Sequence, residues 1–414
     1  MILVMNSDAR NVTLADREKC NDVFRKEVRG WLQEHCPMSM RTDMPDHEIV
    51  WGGRKQRWFS EDAKVWLERM AERGWTVPHW PTAYGGAGLD AGCVKILDEE
   101  MRRINARVPL QSFGMWMLGP ALLEFASEEH KQHYLPQIAR GEIRWCQGYS
   151  EPGNGSDLAG LQTTAKDCGD HFLVNGAKIW TSYADQSDWI FCLVRTDTEA
   201  PKQEGISFLL FDMASDGVSA SPIPLISGAS PFCQVFFDNV KVPKNQLVGK
   251  LNEGWTIAKR LLQHERQMVS VITGNTPLAR STKLRLEKLA QHYAGDGQQI
   301  NDPILRAKIC HHKIDGLAFK LTMNRNVEES AAGRGDGNAA SLIKYYNSEL
   351  NKRKFDLLLQ VMGTAMLGWS GEGFSTEEID ATRQWLRSRA NSIEGGTSEV
   401  QLNVIAKRML GLPD

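Results

Sequence analysis

Residues 147–160 read Gln-Gly-Tyr-Ser-Glu-Pro-Gly-Asn-Gly-Ser-Asp-Leu-Ala-Gly. Glycines lack a Cβ, so the backbone here can pass close to a flat or anionic ligand, and Pro152 fixes the turn. A dinucleotide-binding G-x-G-x-x-G motif is excluded, because Gly153 and Gly155 are followed by Leu158 where the third glycine would stand. On local chemistry alone, the stretch is either a ligand-binding loop or a glycine-rich hairpin.

Three other stretches belong with the first. Residues 81–89 read Pro-Thr-Ala-Tyr-Gly-Gly-Ala-Gly-Leu, residues 175–182 Asn-Gly-Ala-Lys-Ile-Trp-Thr-Ser, and residues 396–401 Gly-Thr-Ser-Glu-Val-Gln. With the run Tyr-Ser-Glu-Pro-Gly-x-Gly-Ser-Asp-Leu-Ala, they resemble the signature segments of the FAD-dependent acyl-CoA dehydrogenase family. Several ordered matches are far more specific than any single motif. The resemblance covers nearly the whole chain.

Bulk composition limits the possible partners. The chain has 414 residues, 42% of them apolar, which predicts a globular protein with two or three packed units. A net charge of −2 with both signs interspersed leaves no basic face for nucleic acid and no polybasic membrane signal. We therefore expect small molecules and other subunits as partners.

Cysteine usage and the first residues indicate the compartment. The eight cysteines are scattered without a C-x-x-C pair, which is typical of reduced thiols in a cytoplasmic protein. The opening run of residues 1–5 is too short for a signal peptide, and no later run is long enough to span a membrane. His311-His312 has no carboxylate or cysteine at metal spacing, so no metal site is predicted. Ser150 and Ser156 lack a G-x-S-x-G setting, which argues against a hydrolase.

The hydrophobic period changes twice along the chain. Apolar residues at threes and fours predict helices up to about residue 143, with Ser60 as an N-cap and Gly74 as a stop. Residues 37–57, rich in Pro, Asp, Arg and Gly, are predicted to be a mobile surface insertion. Short β-branched and aromatic runs over residues 144–249 predict a small β-sandwich or barrel. These runs are Trp145–Tyr149, Gln162–Lys166, His171–Val174, Trp189–Arg195, Ile206–Phe211, Val218–Ile223 and Gln234–Val242.

Residues 250–414 return to long helical patterns, which predict a bundle with surplus apolar faces for oligomer contacts. The predicted fold class is thus α+β, mainly α, with an N-terminal helical domain (1–143), a flavin-binding β domain (144–249) and a C-terminal helical domain (250–414). This order fits the acyl-CoA dehydrogenase fold. The predicted C-terminal helices are 255–293, 303–331, 339–366, 376–389 and 397–410.

The resemblance implies FAD as cofactor and assigns residues to it. The segments that line the flavin in the family correspond here to Gln147, Tyr149, Ser150, Trp180, Thr181 and Ser182. Residues that bind the adenine half, often across a subunit interface, correspond to Gln360, Gly363, Thr364, Thr397 and Glu399. Ser156, which also belongs to the flavin signature, and Arg266 would lie near the CoA arm or the acyl end, with Gly395 and Gly396 at the substrate. Without the resemblance, a core filler would be the better interpretation of Trp180 than a plate that stacks against a ring system.

The catalytic base is the main departure from the family pattern. In many relatives the carboxy-terminal signature begins Tyr-Glu-Gly-Thr, and its Glu takes the α-proton. Here Gly395 stands at that position, and Glu394 is one residue off, so its side chain would point elsewhere. Isovaleryl-CoA-type members instead carry the base in a Leu-x-x-Glu-Arg context, which matches Glu265. An ordinary solvated Glu265-Arg266 charge pair is the alternative.

The resemblance implies α,β-dehydrogenation of an acyl-CoA thioester, a place in fatty acid or lipid catabolism, and an electron-transfer flavoprotein as acceptor. It also implies a tetramer. Relatives commonly carry Arg-x-x-Phe-Gly to hold a neighbour's pyrophosphate, but residues 290–297 contain no Arg, so a heterotetramer with a related subunit stays open beside a homotetramer. Two further alternatives are a non-catalytic subunit that completes a partner's FAD site and a flavin monooxygenase or oxidase.

Overall fold

The computed structural model describes residues 14–275, 284–332, 334 and 339–413, without the side chains of residues 14–18, 46, 265–275 and 331. Its described part divides into two compact units. One unit comprises the chain up to Met115 and Glu128–Arg144, and the other comprises Trp116–Ser127 and the chain from Trp145 onward. None of the described helices is long and apolar enough to cross a membrane.

Within its described residues, the first unit contains four α-helices around a core that includes the fully buried Trp66 and Trp80. The predicted N-cap is confirmed, because the Ser60 hydroxyl accepts a hydrogen bond from the Ala63 amide at 3.1 Å. Gly74 ends that helix region in the left-handed conformation, at φ +67°. The helices are α1 (Leu14–His35), α2 (Glu61–Glu72), α3 (Ala91–Arg103) and α5 (Glu128–Ala139).

The prediction of a surface insertion over residues 37–57 is wrong. Met40 and Val50 within this segment are buried in the first unit. The guanidinium of Arg107 donates to the Glu48 carboxylate at 2.6 Å and to the backbone of the same segment. The isolated apolar residues make no periodic pattern among polar ones, so composition alone misreads a packed segment as an exposed one.

The β region forms one hydrogen-bonded network of eight strands in the second unit, in agreement with the predicted β domain. The strand order is β6-β7-β3-β2-β4-β5-β8, and β1 pairs in parallel with β4. β4 and β5 are buried almost throughout, which explains their uninterrupted apolar runs. The strands are β1 (Trp145–Gly148), β2 (Thr164–Asp167), β3 (His171–Ser182), β4 (Trp189–Arg195), β5 (Ile206–Asp212), β6 (Val218–Ile223), β7 (Phe232–Pro243) and β8 (Leu247–Val248).

The C-terminal helices pack around Leu289, Ile309 and Leu358. One predicted helix, residues 255–293, is wrong, since Leu284 and Arg285 are not helical and a new helix begins at Leu286. A short helix from earlier in the chain, α4 (Gly119–Phe125), also belongs to this unit. The others are α6 (Gly254–Asn275), α7 (Leu286–Tyr293), α8 (Pro303–Ala331), α9 (Ala339–Met362), α10 (Thr376–Ser388) and α11 (Ser398–Val404).

Candidate active site

A buried ion pair anchors the glycine-rich stretch to β3. The Lys178 ammonium is fully buried and lies 2.7 Å from Glu151 Oε1 and 3.2 Å from the Tyr149 carbonyl oxygen. The Glu151 carboxylate also accepts hydrogen bonds from the backbone amides of Gln162 and Thr163, at 2.6 and 2.9 Å. Burial raises the pKa of Glu151, but Lys178 and these donors outweigh it and hold the pKa below its ordinary value. The Glu151 carboxylate therefore stays ionised at neutral pH.

The stretch itself is a tight turn docked on the strand. Glu151 and Asn154 exchange both backbone hydrogen bonds at 3.0 Å, and the Ile179 amide donates to the Ser150 carbonyl at 2.8 Å. Ser156 follows the turn and is exposed. The tip is thus exposed while its base is pinned to β3, an arrangement typical of a ligand-binding loop on a rigid scaffold.

Trp180 has an unusual backbone for a large residue. Its φ is +59°, in the left-handed region, and the regular pairing of β3 with β7 is interrupted between Lys178 and Thr181. A bulky residue there is strained and persists only when its surroundings hold it in place. Trp180 is 52% exposed near the end of β3, whereas the next residue, Thr181, is fully buried. The interpretation of Trp180 as a core filler is wrong.

Two other residues of the predicted flavin segments, Thr181 and Gln147, carry buried polar atoms. Neither Thr181 Oγ1 nor Gln147 Nε2 has a hydrogen-bond partner among the described residues. Buried polar groups are almost always hydrogen-bonded, so such atoms mark a place where a ligand can complete the network. Tyr149 is buried as well: its ring packs edge-on against Phe191 at 6.1 Å, and its carbonyl oxygen lies 3.2 Å from the Lys178 ammonium.

A second buried lysine shapes the carboxy-terminal signature. Lys344 donates to the carbonyl oxygens of Asn391 and Gly396, at 3.1 and 2.6 Å, and burial lowers its pKa. Gly395 and Gly396 adopt φ of +63° and +91°, which favour glycine, and the Gln401 side chain donates to the Gly395 carbonyl at 3.1 Å. The two glycines are exposed, so the signature presents backbone rather than side chains to a ligand.

The residues after the two glycines begin a helix. The Thr397 hydroxyl accepts from the Val400 amide at 3.2 Å and caps α11, and Glu399 stands exposed in the first turn. A carboxylate there is stabilised by the positive end of the helix, and hydrogen bonds from its own backbone and from Thr397 lower the pKa of Glu399. Ser398 is buried, and its hydroxyl has no partner in the described part of the chain.

Side-chain contacts join the two signatures. The Trp180 indole meets the Phe232 ring edge-on at 6.1 Å, and the Arg387 guanidinium lies 5.7 Å from the centre of the same ring. Arg387 also donates to the Glu394 carboxylate at 2.6 Å, immediately before Gly395. Folding thus brings the predicted flavin segment and the carboxy-terminal signature together through Phe232 and Arg387, two residues that sequence analysis missed. Nothing in their local pattern marked them.

The remaining predicted site residues lie at the end of α9 or have side chains outside the described residues. Gln360 is exposed and accepts a hydrogen bond from Lys308 at 2.9 Å, while Gly363 and Thr364 are exposed just after α9. Lys344, which holds the signature, is sixteen residues earlier on α9, a distance of about 24 Å along a helix. Glu265 and Arg266 lie within α6, but their side chains are outside the described residues.

Comparison with known proteins identifies the family. Models of the acyl-CoA dehydrogenase N-terminal, middle and C-terminal domains match residues 20–142, 146–240 and 252–410. The chain is 32% identical over 391 residues to acyl-CoA dehydrogenase IpdE1 of Mycobacterium tuberculosis (strain ATCC 25618 / H37Rv), which covers 94% of this chain and 97% of that protein. The chain belongs to the acyl-CoA dehydrogenase family. The predicted resemblance and the predicted three-part fold are both confirmed.

Solved structures support the same family assignment. The chain resembles the Tcur3481-Tcur3483 steroid ACAD with a TM-score of 0.73 and 27% identity, over 95% of this chain and 98% of that one. It also resembles a chain of the ChsE4-ChsE5 complex from Mycobacterium tuberculosis, with a TM-score of 0.69 and 26% identity, again over 95% and 98%. The relatives are acyl-CoA dehydrogenases, so this chain is an oxidoreductase.

FAD is the cofactor of this family, and the residues present fit it. The exposed indole of Trp180 can stack against the flat isoalloxazine ring of FAD. The unpartnered atoms of Thr181 and Gln147 offer hydrogen bonds to the polar edge of a flavin. The exposed backbone of the glycine-rich turn allows close approach.

The ion pair of Lys178 and Glu151 generates a stability prediction. Lys178→Met should lower the unfolding free energy by about 3–5 kcal/mol, because the carboxylate would be left buried without its cation. Adding Glu151→Gln should recover part of that loss, since no charge then stays buried. Urea unfolding at matched FAD concentration measures both, with Lys166→Met on the exposed side of β2 as control. The Glu151→Gln single variant completes the comparison, and a double variant whose loss of stability equals the sum of the two single losses would contradict the coupling.

Proposed function

We propose that the protein catalyses FAD-dependent α,β-dehydrogenation of an acyl-CoA thioester. The observation that carries this proposal is the contact chain from Trp180 through Phe232 and Arg387 to Glu394, which joins the flavin segment to the signature where the α-carbon would lie. FAD, when bound, supplies the acceptor for the β-hydride. The protein must then supply a base for the α-proton and donors for the thioester carbonyl.

Glu265 is the proposed base. Gly395 has no side chain at the family's usual position, and the neighbouring Glu394 is committed to Arg387 and to the Asn391 amide, both at 2.6 Å. Glu265 lies in α6, four residues and one turn after the fully buried Leu261.

The proposed route for the CoA arm starts at Ser156. A cavity of about 310 Å³ is lined by Asp157, the next residue along the chain, and by Lys202, whose ammonium lies 2.7 Å from the Asp157 carboxylate. The exposed amide of Gly395 is the proposed donor to the thioester carbonyl, with Gly396 beside it, and Arg266 is proposed near the acyl end. The cavity is lined by Asn154, Asp157, Gly160, Gln162, Arg195, Thr198, Ala200 and Lys202.

The proposed flavin contacts divide between two ends of the chain. The flavin ring system would be lined by Gln147, Tyr149, Ser150, Ser156, Trp180, Thr181 and Ser182. The adenine end would be bound by Gln360, Gly363, Thr364, Thr397 and Glu399. Because about 24 Å of α9 separates Lys344 near the signature from Gln360, we propose that one protomer serves the adenine end of its neighbour's FAD. We further propose that an electron-transfer flavoprotein accepts the electrons from the reduced FAD and that the protein is cytoplasmic. The proposed domain boundaries lie between residues 143 and 144 and between residues 249 and 250.

A non-catalytic role in a heteromer is the second candidate function. A similar structure is described as the ChsE4-ChsE5 complex, and residues 290–297 of this chain carry no Arg. Under this alternative, the chain would complete the FAD site of a related subunit. Protein that is colourless when purified alone and yellow after co-expression with that subunit would favour it.

The dehydrogenase proposal is tested with a panel of CoA thioesters. Anaerobic mixing should bleach the yellow flavin, because substrate oxidation reduces it. Gly395 removes bulk beside the proposed α-carbon, so branched or cyclic acyl groups, including a steroid side chain, should react well. Flavin absorbance after each thioester measures this. Bleaching by none of them would contradict the function, and strong preference for straight medium chains would contradict the proposed shape.

The base is tested by Glu265→Gln. Gln keeps the size and a polar oxygen but accepts no proton, so flavin reduction by acyl-CoA should slow about 10²–10⁴-fold while FAD is retained. Stopped-flow reduction kinetics give the rate. Glu394→Gln is the matched control and should change the rate only a few-fold. A few-fold effect at Glu265 would assign the base elsewhere.

Assembly is tested on an apolar stripe of α8. Ile314, Leu317 and Leu321 are each about 60% exposed and share a face opposite Phe319, whose ring contacts Tyr346 of α9. We propose that the stripe packs in a homo- or heterotetramer, as large exposed apolar patches mark interfaces.

Leu317→Glu combined with Leu321→Glu should therefore reduce the mass measured by light scattering, because two carboxylates would be buried in the interface. Thr322→Glu, exposed beside the stripe, adds the same kind of charge as a control and should leave the mass unchanged. An FAD-saturated monomer in the unmodified protein would refute the assembly.

A further inference from the structure

Two arginines stand one turn apart on α10. The Arg383 guanidinium lies 5.1 Å from the centre of the Trp369 ring, and Arg387 lies 5.7 Å from the centre of Phe232. Aromatic faces hold guanidinium groups in a fixed plane. The two cations are therefore positioned side by side along one helix face.

Both arginines carry buried donor atoms. Arg383 Nε and Arg387 Nη1 are buried and have no hydrogen-bond partner among the described residues. Ser227 is 5% exposed, and its hydroxyl is also unpartnered there. Its neighbour Gly228 approaches so closely that an added Cβ would lie 3.0 Å from Trp369 and 3.8 Å from Arg383 Nε. Three unused polar groups thus lie around one loop and one helix.

The charge balance at this place is positive. Arg387 has Glu394 at 2.6 Å, whereas in the described part of the chain Arg383 has no carboxylate within 4 Å. Unpaired donors that are shielded from water are costly, and an anionic acceptor would satisfy them with strong, charge-assisted hydrogen bonds. Planar guanidinium groups match the oxygens of a phosphate especially well.

We propose that Arg383, Arg387 and Ser227 form an anion site that binds the diphosphate of FAD. Phe232 contacts both Arg387 and Trp180, so the site lies beside the segment that fits the flavin. Residues 290–297 contain no Arg, so these cations would meet the cofactor's phosphate charge from the chain's own α10. The inference rests on FAD binding and not on the proposed dehydrogenation.

The experiment compares flavins that differ in phosphate. Apoprotein is prepared from the yellow protein in the assembly in which it purifies, and binding is followed by quenching of flavin fluorescence. Arg383→Gln and Arg387→Gln should each weaken FAD binding about tenfold to a hundredfold, which is the range for one lost charged hydrogen bond. Riboflavin, which has no phosphate, should bind the variants as it binds the unmodified protein. Arg387→Lys should recover part of the loss.

Controls separate this role from a structural one. Arg140→Gln removes an exposed, ion-paired arginine of the first unit and should leave FAD affinity unchanged. Inorganic pyrophosphate should compete with FAD on the unmodified apoprotein, which tests the site even where a variant fails to fold. The proposal is overturned by FAD affinity within twofold of the unmodified protein in both variants, by equal losses for FAD and riboflavin, or by absence of competition.

Discussion

The buried ion pair between Lys178 and Glu151 is the interaction on which the described site depends. Removing two charges from water is expensive, and the cost is recovered only where every lone pair and proton is satisfied. The Glu151 carboxylate meets this condition with Lys178 and two backbone amides, which restricts the turn to one geometry. Cys192 lies near enough to sense both charges, yet burial dominates and raises the pKa of its thiol to about 12, so it stays an inert, protonated filler.

Lys344 fixes the backbone of the carboxy-terminal signature as Lys178 fixes the glycine-rich turn, but through different hydrogen-bond partners. It contacts carbonyl oxygens rather than a carboxylate, so it constrains the backbone of residues 391–396 without specifying their side chains. Both signatures are thus shaped from beneath by an ammonium group that does not reach the surface. Their outer faces then stay available, as a strained indole at Trp180 and as bare backbone at Gly395. A rigid interior and an unfilled exterior are what a large flat cofactor requires.

Sequence reasoning recovers what is local and periodic. β4 and β5 are apolar on both faces, so their sequences predict buried strands without knowledge of their neighbours. It fails where a contact is long-range and chemically ordinary: Arg387 reads as a solvated charge on an amphipathic helix, and its relation to Phe232 exists only after folding. It fails also at residues 37–57, where buried Met40 and Val50 follow no period. Lys178 lies within the segment of residues 175–182, but the sequence of that segment does not show that the ammonium group is buried.

The one-residue offset between Glu394 and Gly395 shows why position matters more than composition. Both stand in the same signature, but the turn commits the Glu394 carboxylate to Arg387 and Asn391 and leaves the next position as exposed backbone. A carboxylate is present within one residue of the family's usual place, and it is bound to a cation. The same arginine contacts the ring that touches Trp180. Glu394 therefore holds Arg387 beside the predicted flavin segment, and the base that we propose stands on another element, in the Leu-x-x-Glu-Arg sequence of α6.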